Sequence, residues 1–236
     1  MYVPLREGYL FLVFPFLCIW IALFLLSKKT RQQQLRMSII MAPLGGFGEL
    51  LYFQDYWRPL SVASFSLFHI PFLIEDVLFS IAIGGISAVI YEFIFRKRIR
   101  RLKKNYPAKL ELLLILMCMA SLALFLFHSG INSIFATSFA FVVGFFLIVM
   151  QRKDLLIDSL ITGLCVMLVM FVSYFILYHT VANIEQLLKQ GWLLYNTPLG
   201  IRIFNIPATE MVWGFSWGLL AGPLYLFVEN LSLASK

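Results

Sequence analysis

The chain has 236 residues, 61% of them hydrophobic and only 13% charged, with a mean hydropathy of +0.88 and a formal net charge of +7. A soluble domain carries about 25% charged residues, so a water-soluble globular protein is excluded. The positive charge does not indicate a nucleic-acid partner, because it is gathered in short stretches between apolar runs.

Apolar runs of about 20 residues are long enough to cross a bilayer as helices. The sequence predicts about seven of them, near 9–26, 37–54, 71–94, 110–128, 132–150, 155–178 and 206–229. The alternating ten-residue segments of a membrane β-barrel are absent. The expected fold is therefore an all-α integral membrane protein, with residues 1–236 as a single multi-pass domain. The first run has neither a basic flank nor a small-residue cleavage site, so it is expected to be a span and not a removed signal. Between helices one and two lie Lys28, Lys29, Arg31 and Arg36, and between three and four lie Arg96, Lys97, Arg98, Arg100, Arg101, Lys103, Lys104 and Lys109. With Arg152, Lys153 and Lys236 these make 15 of the 19 Lys and Arg on one side, against Arg6, Arg58, Lys189 and Arg202 on the other. That bias places the N-terminus outside and the C-terminus inside. The stretch from Arg96 to Lys104 also suits anionic headgroups, although topology alone accounts for it. Cys18, Cys118 and Cys165 fall inside apolar runs with no disulfide or ligand spacing, and are expected to be small buried hydrophobes.

The chain repeats itself. Trp57, Pro59, Ile70-Pro71, Asp76, Phe79 and Tyr91 recur as Trp192, Pro198, Ile206-Pro207, Glu210, Trp213 and Tyr225. In each copy an acid is followed at +3 by an aromatic and at +15 by a tyrosine. This divides the chain into a first three-helix repeat (1–96), a linker helix (109–128) and a second three-helix repeat (131–231). An odd number of spans between equivalent points would be needed to invert a copy; three spans plus one linker keep the two copies parallel. The acids then sit at one depth, near the outer ends of their helices.

Residues at i, i+4, i+8, i+11 and i+15 share a helix face. From Asp76 that face reads Ser80, Gly84, Ser87 and Tyr91, and from Glu210 it reads Gly214, Gly218, Ala221 and Tyr225. Small stripes allow helices to approach closely, and they can also line a slot for a flat or rod-like ligand. The acids are harder to explain as packing, because an ionisable group within a span is costly and marks function by default. Glu49 follows Gly45 and Gly46 at a matching depth and is a third candidate. Asp55 is expected in solvent, Glu92 and Glu229 at the inner interface, and Asp154 and Asp158 at a helix start that favours acids. Glu7, Glu111 and Glu185 read as boundary or loop charges. His69, His128 and His179 map to the outer side, without the local spacing of a metal site, and no metal is expected. There is no phosphate-binding glycine loop, no nucleophile elbow and no Asp-rich diphosphate motif.

An acid pair and a following Phe at the head of a membrane helix, present twice, resembles the lycopene cyclase domain family. These are heterodimeric-type membrane carotenoid cyclases whose motif is Pro-x-Glu-[Glu/Asp]-x-x-Phe. In the first copy Glu75-Asp76-Val-Leu-Phe79 fits the acidic part, with Pro71 two residues early; in the second, Pro207-Ala-Thr209-Glu210-Met-Val-Trp213 keeps the proline spacing. There Thr209 replaces the first acid and Trp213 the Phe, so the resemblance is that of a divergent member.

The resemblance implies an isomerase of carotenoid biosynthesis, which closes the end group of a linear carotenoid into a ring without net oxidation or reduction. Such chemistry needs an acid able to protonate an alkene, and a carboxyl withdrawn from water keeps its proton near neutrality. Two adjacent carboxyls titrate as a unit, and Glu75 with Asp76 supplies such a pair. The expected catalytic residues are Glu75, Asp76, Glu210 and Glu49, one donating a proton and another accepting the proton lost after ring closure. Phe79, Trp213 and Trp217 are expected to face the carbocation, with Tyr91, Tyr225 and Trp57 also lining the substrate. No cofactor is expected; the expected partners are an isoprenoid or carotenoid substrate, the lipid bilayer and a homo- or hetero-oligomeric subunit, in a prokaryotic plasma membrane. The alternative is a non-catalytic module that binds isoprenoid or lipid, or serves as a partner subunit. A proton-coupled transporter ranks behind both, because its acids belong nearer the midplane.

Overall fold

The computed structural model describes residues 2–67, 70–102 and 108–234. These form eight helices in chain order: α1 (Gly8–Leu26), α2 (Arg31–Asp55), α3 (Ile74–Phe95), α4 (Ala108–His128), α5 (Ser133–Gln151), α6 (Leu156–Thr180), α7 (Ile184–Gly191) and α8 (Ala208–Val228). Six of the long ones are apolar enough to cross a membrane. The seventh, α2, is as long as α6 at 25 residues, but it opens on the polar run Arg31-Gln-Gln-Gln34. The short amphipathic α7 lies in what the sequence reads as a loop. Large hydrophobic side chains stand exposed along the flanks of the bundle, including Leu26, Ile39, Phe125 and Met150. On a water-soluble protein such a surface would aggregate; on a multi-pass membrane protein it is the face offered to lipid. Cys18 and Cys118 join that exposed flank instead of the core expected for them.

Helices α3 and α8 are the most buried spans, 61% and 72% of their apolar windows lying inside the protein. Each takes its main contact from the long helix before it, α2 against α3 and α6 against α8, with α1 and α5 completing the two groups. The small-residue stripes make these contacts. A Cβ on Gly218 would sit 2.7 Å from the Gly163 Cα and 2.9 Å from the Thr162 carbonyl oxygen, so α6 and α8 touch backbone to backbone. On the other side Gly45 of α2 leaves room for Ser80 of α3. The stripes are thus filled by neighbouring helices and do not form an open slot. Helix α4 packs mainly on α5.

Short antiparallel strand pairs finish the two ends of the bundle. At the basic end, β3 (Arg98–Arg101) pairs with β6 (Leu231–Ala234), and the buried Arg152 donates to Asp154 and to the Leu231 carbonyl at 2.7 Å. At the opposite, tryptophan-bearing end, β1 (Ser64–Leu67) pairs with β2 (Ile70–Leu73), and β4 (Arg202–Ile203) with β5 (Ile206–Pro207). The β4–β5 turn holds Phe204 and Asn205 at φ of 51° and 65°, as a two-residue hairpin of this hand requires. Trp57 bridges Trp192, and Arg58 N–H donates to the Gly191 carbonyl at 2.7 Å, so the two tryptophan loops are stitched together. Each hairpin delivers the chain into the first turn of α3 or α8, where Glu75, Asp76 and Glu210 lie. Carboxyl groups are favoured there by the helix dipole.

Candidate active site

Asp76, Glu49 and Glu210 all lie at the tryptophan end, within the bundle. Glu49 is 2% exposed and Asp76 6%, and their carboxyl groups meet across the α2–α3 contact. Glu49 Oε2 and Asp76 Oδ2 are both buried without a donor. A buried acceptor left unpaired is costly. Asp76 Oδ1 accepts a hydrogen bond from the Tyr9 hydroxyl of α1.

Glu210 is served separately. Tyr56, at the end of α2, donates to its Oε1 and lies 3.1 Å from the Thr209 hydroxyl. The Tyr174 hydroxyl of α6 faces the same carboxyl. Glu210 is therefore held by one phenol from each half of the chain. Next to it, Trp213 Nε1 donates to the Tyr52 hydroxyl at 2.9 Å, which donates in turn to Thr137 Oγ1 at 2.9 Å.

An aromatic wall continues from these groups. Trp213 stacks on Trp217 with centroids 5.8 Å apart and lies 5.8 Å from Phe79. Phe141 meets Trp217 edge-on at 5.3 Å, and Phe16 meets Phe79 edge-on at 5.1 Å. Trp57 packs edge-on against Tyr9, centroids 5.5 Å apart. The structure thus brings Glu49, Asp76, Glu210, Phe79, Trp213, Trp217 and Trp57 to one end of the bundle.

Other candidates are placed elsewhere. Glu75 is fully buried, but it accepts from the Val62 N–H at 2.9 Å and the Ser61 hydroxyl at 2.5 Å. It anchors the loop before β1, and the partner of Asp76 is Glu49. Tyr91 lies 15 residues along α3 from Asp76, about 22 Å at 1.5 Å per residue, and packs on Phe95. Tyr225 is equally remote on α8. Glu92, expected at the interface, is buried at 5% exposure near the basic end, and Asp158, in the first turn of α6 as expected, is buried there at 3%. Gln33 donates to Glu92 at 3.0 Å and Thr162 to Asp158 at 3.2 Å. Asp55 is not a solvated loop charge, since it accepts from the Ser133 N–H at 2.9 Å and hydroxyl at 2.5 Å, fixing the start of α5. His128 and His179 each bond the carbonyl four residues back at 2.8 Å; His69 lies outside the described residues.

Sequence reading missed Tyr9, Tyr56 and Tyr174. Their one signal is depth, since each falls within two turns of the end of a helix that also carries, or packs on, an acid.

A surface cleft of about 330 Å³ lies between the end of α6, α7 and the β4–β5 hairpin, lined by Tyr178, His179, Glu185 and Arg202. Its Glu185 accepts from Tyr195 at 2.6 Å and pairs with Lys189 at 3.3 Å, which holds its carboxyl below the ordinary carboxylate range. None of the acids above reaches this cleft. A narrow gap of about 10 Å³ between α1, residues 57–60 and α7 does reach Tyr9 and Trp57.

The family model described as lycopene cyclase matches residues 7–94 and 132–228. No curated protein sequence and no solved structure matches the chain.

Proposed function

The chain belongs to the lycopene cyclase family, and from that membership we propose that it cyclises the end group of a linear carotenoid inside the membrane. The observation that carries this reading is the convergence of the Glu49–Asp76 pair, Glu210 and the Phe79–Trp213–Trp217 wall at one end of the bundle. A proton held between Glu49 and Asp76 is a source of acid out of contact with bulk water. Added to the terminal alkene, it leaves a tertiary cation that the adjacent double bond attacks. Glu210 then takes the proton that leaves the ring. The π faces of the wall favour the passing positive charge, and the neighbouring helices keep water from trapping it.

In the same reading, α1–α3 and α5–α8 form two parallel repeats joined by α4, with the N-terminus outside and the C-terminus inside a prokaryotic plasma membrane. The equal lengths of α1 and α5, 19 residues each, and of α2 and α6, 25 each, support the repeat. The gap beside Tyr9 and Trp57 is the proposed point of substrate access, opened by movement of α7 or α1. Glu75 has a supporting role there, holding the loop that forms the rim.

A second reading, an isoprenoid-binding or partner subunit, is favoured by Thr209 standing where the family motif has an acid. Expression in bacterial cells that accumulate lycopene, followed by chromatography of the extracted pigments, separates the two. Cyclic products that disappear with Asp76→Asn and with Glu210→Gln, while the protein stays in the membrane, are expected. Unchanged lycopene with wild-type protein in the membrane would shift the assignment to the binding subunit.

A further inference from the structure

The cleft of about 330 Å³ at the tryptophan-bearing end of α6 is separate from the acids, and its size falls within the roughly 300–1,000 Å³ of small-ligand sites. Its wall carries hydrogen-bond donors and acceptors side by side. Arg202 is anchored on Tyr195, donating to its hydroxyl at 2.9 Å through Nη1 and lying 4.5 Å from the centre of its ring. A guanidinium has five N–H donors, so most of them remain for an anion. The Tyr178 hydroxyl belongs to the same lining and is buried with no hydrogen-bond partner among the described residues. Glu185 meets both Tyr195 and Lys189 through Oε1, which leaves Oε2 as an acceptor. His179 donates through Nδ1 to the Phe175 carbonyl at 2.8 Å, which leaves Nε2 as a second acceptor.

Beside the cleft the surface turns apolar. Phe175 and Phe204 are exposed, and a column of rings runs on from His179. His179 lies on Phe175 with centroids 4.2 Å apart, Phe175 on Phe171 at 6.0 Å, and Phe171 meets Phe204 edge-on at 6.1 Å. Phe204 holds the β4–β5 turn at φ of 51°, where a bulky side chain is uncommon and Asn or Gly is preferred. The next residue, Asn205, lines the cleft. One turn thus puts a ring on the lipid-facing flank and its neighbour in the polar cleft.

We propose that this cleft binds the headgroup of a phospholipid carrying a primary amine, with an acyl chain lying along the ring column. The phosphate takes Arg202 and the Tyr178 hydroxyl, where charge-assisted hydrogen bonds are strongest. The ammonium takes Glu185 and His179 Nε2. Opposite charges on one wall match a zwitterion better than a simple anion or cation, and a polar cleft that opens onto an apolar flank matches an amphiphile. The lining comes from α6, α7 and the β4–β5 hairpin, so the lipid ties α7 to the bundle.

Full-length protein in mild detergent would be titrated with phosphatidylethanolamine, phosphatidylglycerol, phosphatidylcholine and free phosphoethanolamine, with bound molecules counted by native mass spectrometry. Wild type should prefer phosphatidylethanolamine. Arg202→Gln should weaken its binding by on the order of tenfold or more, and Tyr178→Phe by roughly two- to tenfold. Glu185→Gln should abolish the preference over phosphatidylglycerol. Phe204→Ser should weaken the lipid but not free phosphoethanolamine. If Arg202→Gln fails to fold, Tyr178→Phe and Glu185→Gln decide, since each removes one polar group and keeps the side chain's shape. Equal uptake of the three lipids, unchanged in every variant, would refute the site. Free phosphoethanolamine binding as tightly as the lipid would overturn the lipid assignment. Ring formation enters no arm of the test, so its outcome is independent of the cyclase reading.

Discussion

Replacement of Gly218 by alanine tests the close approach on which the bundle depends. The added Cβ would lie 2.7 Å from the Gly163 Cα, 2.9 Å from the Thr162 carbonyl oxygen and 3.0 Å from the Gly163 nitrogen. All three are backbone atoms and cannot rotate away. Ordinary contact begins near 3.4 Å, so α6 and α8 must separate by about 0.5–0.7 Å at this point, and overpacking of that kind costs about 1–3 kcal/mol. Alanine also gains about 1 kcal/mol over glycine in any helix interior, which a second variant can remove from the comparison. Gly144→Ala gains the same amount, but its new methyl meets only side chains, chiefly the Met119 thioether, which adapts readily. The difference between the two variants is then the overpacking alone. At about 2–4 °C per kcal/mol for a chain of this size, Gly218→Ala should melt about 2–12 °C below Gly144→Ala. Thermal unfolding in one detergent, followed by circular dichroism, measures this. Equal melting temperatures would refute the backbone contact between α6 and α8, and with it the filled stripe.

Glu75→Ala should destabilise the protein by about 1–3 kcal/mol, because the Val62 N–H and Ser61 hydroxyl lose their acceptor. Its first sign should be faster proteolysis within residues 61–63, and resistance equal to wild type would show that the anchor is dispensable. Arg152→Met removes the donor to the Leu231 carbonyl and should release the β3–β6 pair, seen as faster trimming of the C-terminus by carboxypeptidase; an unchanged rate would mean the strand pairing suffices. For orientation, single cysteines at Ser129 and Lys29 in a chain freed of Cys18, Cys118 and Cys165 should behave oppositely. An impermeant maleimide should label position 129 in intact cells and position 29 only after permeabilisation, and the reverse pattern would invert the proposed topology.

Residue chemistry already displays much of this organisation. Every long helix is legible, because roughly 20 apolar residues between charged stretches have one inexpensive solution in a bilayer. The depths of Glu49, Asp76 and Glu210 follow by counting from helix ends. Helix α7 is missed because its eight residues average almost no hydrophobicity and announce themselves only by the one-sided pattern Ile184, Leu187, Leu188. Asp55 is misread because a charge near a helix end has the same sequence signature whether it faces water or a neighbour's hydroxyl.

The sequence by itself determined the class of fold, the positions of the spans, the basic end and the doubling of an acid at the head of α3 and α8. Only the tertiary structure decided which carboxyl meets which. Glu75 and Asp76 are adjacent in sequence, but successive residues on a helix point about 100° apart, so one turns to the loop and the other to Glu49 on α2. Likewise, Tyr9, Tyr56 and Tyr174 reach their acids across α1, the end of α2 and α6. Contacts between residues 67 and 154 positions apart depend on how helices are packed, and no periodicity within one helix records that.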